Sequence, residues 1–147
     1  MRVEVSKAAE LLGYSGLLPQ LIAVLAVLYD GEYAEFAVAF GLIYASLIFS
    51  FLGGVWWGQA ISAKEVSARI YVTAVMPSLL AFGGVIAAII IWDELAYGAL
   101  IIGQMIALSP LVDRRLSYAT EDFMRLRWHL SLGLGALTTI LGFIALP

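Results

Sequence analysis

The chain contains no cysteine, and only 13% of its residues are charged. Without cysteine there are no disulfides, thiolate nucleophiles, iron–sulfur ligands or covalent haem attachment. The shortage of charge excludes more. A soluble domain carries about 25% charged residues, whereas this chain is 63% hydrophobic with a mean hydropathy of +0.97. That balance argues against a soluble enzyme, a nucleic-acid binder and a disordered tail, and leaves no room for an extramembrane domain. There is one histidine, His129, so a bis-histidine haem or a zinc site lacks ligands. No cofactor and no metal are expected.

What is present is apolar sequence in long blocks. Charge is absent from residues 11–29, 36–63, 70–92, 95–112 and 128–147, which are 19, 28, 23, 18 and 20 residues long. A bilayer core about 30 Å thick needs roughly 20 apolar residues of helix. A β-barrel would show ten-residue segments of alternating polarity, which are missing. The expectation is an all-α membrane bundle forming one domain over 1–147, with five spans at about 11–29, 37–60, 70–92, 96–112 and 127–146. The first span is too long and too acid-flanked, by Glu4 and Glu10, to read as a signal peptide.

The loops agree on direction. Arg2 and Lys7 precede span 1, Lys64 and Arg69 lie in the second loop, and Arg114, Arg115, Arg125 and Arg127 lie in the fourth. Asp30, Glu32 and Glu35 in the first loop and Asp93 and Glu94 in the third face no basic residue. The positive-inside rule gives N-terminus in and C-terminus out, in a cell inner (cytoplasmic) membrane. Aromatic residues fall at the same two levels: Tyr29, Tyr33, Trp92 and Tyr97 outside, and Tyr14, Trp56, Trp57, Tyr71, Tyr118 and Trp128 inside, as an interfacial belt. In the fourth loop, Thr120 followed by Glu121 and Asp122 reads as a helix start, and Glu121 can pair with Arg125. The four arginines there are read as topogenic and lipid-facing.

Pro19, Pro77 and Pro110 stand within spans and free the carbonyls of Ser15, Thr73 and Ile106, so kinks are expected. Small residues recur every four positions: Ser46, Ser50, Gly54, Gly58 and Ser62 in span 2, Ala99, Gly103 and Ala107 in span 4, Ser131, Gly135 and Thr139 in span 5. Such rows let helices cross closely. The face with Ser50, Gly54 and Gly58 is expected to pack against a neighbour.

No Asp, Glu, Lys or Arg falls inside any of the five apolar blocks, which argues against proton pumps, ion-coupled transporters and voltage sensors. No nucleophile–histidine arrangement is visible, so an enzyme is not expected. His129 reads as an interfacial residue. Gln104, near the middle of span 4, needs a partner and reads as interhelical glue ahead of a ligand contact. The densest constellation is 44–58, YASLIFSFLGGVWWG, with Tyr44, Ser50, Gly53, Gly54 and Trp57.

This segment resembles the signature of the transmembrane protein 69-like family, bacterial and mitochondrial inner-membrane proteins. That pattern runs Tyr-Gly-Ala, Leu-Ser-Phe-Leu-Gly-Gly, His-Trp-Gly. Here it reads Tyr44-Ala45-Ser46, then Phe49-Ser50-Phe51-Leu52-Gly53-Gly54-Val55-Trp56-Trp57-Gly58. The likeness continues at 12–19, 77–82, 113–115 and 125–127. Trp56 stands where the family has histidine, so no role of that histidine transfers. The resemblance implies a domain of unknown function and no activity.

Two readings follow. One is a non-enzymatic accessory, assembly or stabilising subunit, with membrane lipids and a larger complex or a second copy as partners and no nucleic acid. The other is a binder or carrier of a lipid, quinone or tetrapyrrole. For either, Tyr44, Ser50, Gly53, Gly54, Trp57, Gln104 and His129 are the ligand or partner candidates. The inner-half cavity of the second reading is expected to be lined by some of Pro19, Ser50, Gly53, Trp57, Pro77 and His129.

Overall fold

The computed structural model describes residues 5–29, 31–117 and 119–147. Arg2, Glu4, Asp30 and Tyr118, invoked above for topology and the aromatic belt, lie outside the described residues. The chain is all-helical, without a strand among those residues.

Helix α1 (Lys7–Ser15) is capped by Ser6, whose hydroxyl accepts from Ala9 N at 3.2 Å. The chain turns at Gly16 and Leu17 and resumes as α2 (Leu18–Tyr29). Pro19 therefore stands in the first turn of a new helix, where a missing N–H costs little. A short 3₁₀ turn leads into α3 (Ala34–Ser62), 29 residues and about 43 Å long. The following turn is held by Glu65, whose carboxylate accepts from Val66 N and Ser67 N at 2.9 Å each.

Helix α4 (Ala68–Ile86) runs on through a π turn at Ala87–Ile91. Helix α5 (Leu95–Leu116) stops at Ser117, which is left-handed at φ 57°. Thr120 caps α6 (Glu121–Ile144) as its sequence suggests, accepting from Phe123 N at 3.4 Å. Glu121 and Arg125 both stay exposed, and no ion pair closes between them.

Among the described residues, four helical segments are long and apolar enough to cross a membrane: Lys7–Tyr29, Gly31–Ser62, Ala68–Ile91 and Leu95–Leu116. Helix α6 has comparable length, but Arg125, Arg127, His129, Thr138 and Thr139 lower its hydropathy. Half of the apolar window of Gly31–Ser62 is buried, against 17% for Lys7–Tyr29, so α3 is the central helix. Its Leu42, Ala45, Phe49 and Leu52 form the core with Ala81, Ala88, Ile102, Ile106 and Leu134.

Helices α5 and α6 touch backbone to backbone. A Cβ on Gly135 would lie 2.7 Å from Gly103 O, and one on Gly142 2.7 Å from Ala96 O. These pairs make the two helices antiparallel and use the small-residue rows of spans 4 and 5. The crossing of α3 with α4 uses a different register from the expected one. Gly53, not Gly54, lies against the Ala74 carbonyl and Pro77. A Cβ added at Gly54 or Gly58 would meet nothing within 4 Å among the described residues, so that row faces outward. The two adjacent glycines point about 100° apart, and only one can meet α4. Ser50 does reach α4, bonding Ser78 Oγ at 2.8 Å.

Candidate functional site

The α5–α6 contact sets residues 113 and 127 at one level and residues 109 and 131 at the next. Ser109 and Asp113 lie four apart on α5, Arg127 and Ser131 four apart on α6, so each pair shares a helix face. The result is a buried polar network. Arg127 donates to Asp113 Oδ2 from Nη2 at 2.6 Å and from Nε at 3.0 Å. Asp113 Oδ1 accepts the Trp56 indole N–H at 2.8 Å, which brings in α3. Arg127 also donates to Ser131 Oγ at 3.2 Å and to Ser109 Oγ at 3.4 Å. Side-chain exposure is 9% for Arg127 and zero for Asp113.

This corrects three expectations. Asp113 lies within α5 rather than in a loop, Arg127 is turned inward rather than to lipid, and Trp56 is buried rather than part of an interfacial belt. A buried carboxylate and guanidinium persist only when paired and hydrogen-bonded, and here each is. Pro110 belongs to the same structure. It cannot donate to Ile106 O, and Ser109 Oγ donates to that carbonyl instead at 2.7 Å.

Beside the network lies a cavity of about 520 Å³. Small-molecule sites run roughly 300–1,000 Å³. Ala9, Leu12 and Gly13 of α1 and Leu17 form one wall, Phe51, Leu52 and Val55 of α3 another, and Leu126, Leu130 and Leu134 of α6 a third. Arg127 and Ser131 also line it. Helix α1 buries none of its own residues, so it closes the cavity without joining the core. It is tied to α6 where Tyr14 Oη meets His129 Nδ1 at 2.9 Å.

The cavity walls include none of Pro19, Ser50, Gly53, Trp57, Pro77 and His129. Trp57 is 42% exposed and packs edge-on against Tyr71, 4.9 Å between ring centroids. Tyr44 donates to Gly16 O at 2.5 Å across the α1–α2 turn. Gln104 is exposed rather than buried, and its amide donates to Thr139 Oγ1 on α6 at 3.1 Å. His129 is exposed at the same end as the network. Among the described residues no three His, Asp or Glu side chains converge as a metal cluster.

Sequence reasoning missed the network because it treated Asp113 and Arg127 as span boundaries, which left Trp56 and Ser109, both inside spans, with no buried partner to meet. The available signal was the pair of four-residue spacings, Ser109–Asp113 and Arg127–Ser131, on two segments joined by a short connection. It also passed over Gln20, which is fully buried on α2 with neither amide atom hydrogen-bonded among the described residues.

The model of one protein family, described as protein of unknown function (DUF3429), matches residues 5–143, and the chain belongs to that family. No curated protein matches the chain, and no solved structure does.

Proposed function

We propose that this member of the DUF3429 family is a non-enzymatic, five-span protein of the cell inner membrane that binds an apolar small molecule in the cavity beside Arg127. The likeness of 44–58 to the transmembrane protein 69-like signature supports the inner-membrane location in this reading. Helix α6 is the fifth span: at 24 residues it is about 36 Å long and lies against α5 along its length. With the basic residues inside, the N-terminus is cytoplasmic, the C-terminus is external, and the cavity opens in the cytoplasmic half.

The observation that carries this reading is an apolar cavity of ligand size with a buried guanidinium in its wall. Packing alone requires neither the space nor the charge. The test is purification in mild detergent followed by extraction and mass spectrometry of bound molecules. Wild-type protein retains a stoichiometric apolar ligand, and Ala9→Trp, which fills the cavity from α1, loses it. Equal ligand content in the two proteins overturns the reading.

The accessory-subunit reading has its own support. Gly54 and Gly58 face outward with nothing within 4 Å, and a concavity lies beside Gly58, Gln59, Ser62 and Ala63. Small outward-facing residues allow close approach of another helix. A stoichiometric protein partner that is lost on Gly58→Leu favours this reading instead.

A further inference from the structure

The geometry points to an uncharged amphiphile as the cavity's occupant: an apolar tail carrying a carbonyl oxygen that accepts from Arg127. This rests on the cavity reading above and goes beyond it by naming the chemistry of the head group.

The argument is a count of hydrogens. An arginine side chain has five N–H donors. Two of those on Arg127 go to Asp113, one to Ser131 and one to Ser109. The fifth, on Nη1, has no partner among the described residues. The serines have no hydrogen to offer in its place. Ser109 gives its hydrogen to Ile106 O, so in the Ser109–Ser131 contact at 3.2 Å Ser131 is the donor. Both hydroxyl hydrogens are spent inside the network. Among the described residues, what Arg127 has left to offer the cavity is one guanidinium N–H, and the rest of the lining is apolar apart from Ser131 and backbone. The complementary ligand group is a hydrogen-bond acceptor.

Charge decides which acceptor. Arg127 and Asp113 neutralise each other within 2.6 Å. A carboxylate or phosphate added here would be a third buried charge without a counterion, at a large desolvation cost. Among the described residues the adjoining polar depression carries Glu10 and Asp122 against Arg125, with no positive excess. A carbonyl accepts the free N–H and brings no charge.

The test uses the full chain in detergent and three probes sharing one tail: hexadecane, methyl palmitate and hexadecanesulfonate, with binding read by native mass spectrometry. Methyl palmitate binds about tenfold or more tightly than hexadecane, as expected for a hydrogen bond to a charged donor, and more tightly than the sulfonate. Ala9→Trp abolishes its binding. Equal binding of hexadecane and the ester overturns the head-group assignment and leaves the cavity reading standing. Tighter binding of the sulfonate overturns it in favour of an anion site. No binding of any probe overturns the cavity reading and this inference with it. Decylubiquinone and dioctanoylglycerol then distinguish a quinone carbonyl from a lipid ester: competition by either supports the inference and names the source, and competition by neither overturns it. The series in wild-type protein does not depend on an Arg127 variant that folds.

Discussion

The indole N–H of Trp56 on α3 donates to Oδ1 of Asp113 on α5 at 2.8 Å, while Oδ2 of the same carboxylate is held by Arg127 on α6. One buried carboxylate thereby joins three helices, reaching 57 residues back to α3 and fourteen forward to α6. It also explains why one of two adjacent tryptophans is buried and the other is not. Trp56 is 3% exposed and points at the ion pair, whereas Trp57, about 100° further round the helix, is 42% exposed beside Tyr71.

Breaking this node is costly. Asp113→Asn leaves the guanidinium buried without its counter-charge, and removing one partner of a buried pair costs about 3–5 kcal/mol. Trp56→Phe keeps one aromatic ring, but it deletes a hydrogen bond to a charged acceptor, a loss of about 1.5–3 kcal/mol, and its smaller side chain leaves a void. Unfolding in detergent with increasing denaturant should rank the variants in that order below wild type. Because both act on the same carboxylate, the double variant should lose less than the sum.

The register of α3 gives a paired prediction. A side chain on Gly53 meets the Ala74 carbonyl and Pro77, while one on Gly54 meets nothing within 4 Å. Gly53→Leu should destabilise by about 1–3 kcal/mol through overpacking. Gly54→Leu should stay within about 0.5 kcal/mol of wild type, as at other open surface positions. Thermal melts of the two purified variants check this, and equal effects would contradict the observed crossing.

Gln20 predicts the opposite sign. Its amide is fully buried on α2, beside Gly41 and near Leu141 of α6, with neither polar atom satisfied among the described residues. Burying an amide without partners costs about 1–3 kcal/mol. Gln20→Met preserves length and removes the unmet polar groups, so it should raise the melting temperature. A lower melting temperature would mean that the amide is satisfied by a bound water or ligand.

Much of this architecture is legible in the sequence, for identifiable reasons. Helical segments of membrane length follow from charge-free runs, since apolar backbone in lipid must be hydrogen-bonded internally. The rows at 99, 103, 107 and 131, 135, 139 mark the α5–α6 contact because only small residues permit it. The row at 50, 54 and 58 misleads because the Gly53-Gly54 pair offers two candidate faces, and local composition does not say which one meets α4. The buried ion pair was hidden for a different reason. Counting every arginine as topogenic treats charge as a marker of water. Arg127 is instead neutralised by a residue fourteen positions away, and that pairing exists only once α5 and α6 fold back on each other. The cavity was equally out of reach, because its walls come from α1, α3 and α6 and depend on the break at Gly16 and Leu17.

The last prediction concerns α6, the helix whose polarity sets it apart from the four clearly apolar segments. If it spans, its two ends lie on opposite sides of the membrane. If it lies along the surface, they lie on the same side. The natural chain has no cysteine, so single cysteines can be labelled without background. With the basic ends inside, cysteines at Glu32 and Asp93 should react with an impermeant reagent on intact cells, and cysteines at Lys64 and Arg115 should react only after permeabilisation. For α6, a cysteine at Glu121 should behave like Lys64, and one at Leu146 like Glu32. Equal labelling of Glu121 and Leu146 would remove the fifth span. Labelling of Lys64 but not Glu32 would instead keep the spans and invert the protein, moving the cavity and its guanidinium to the external half.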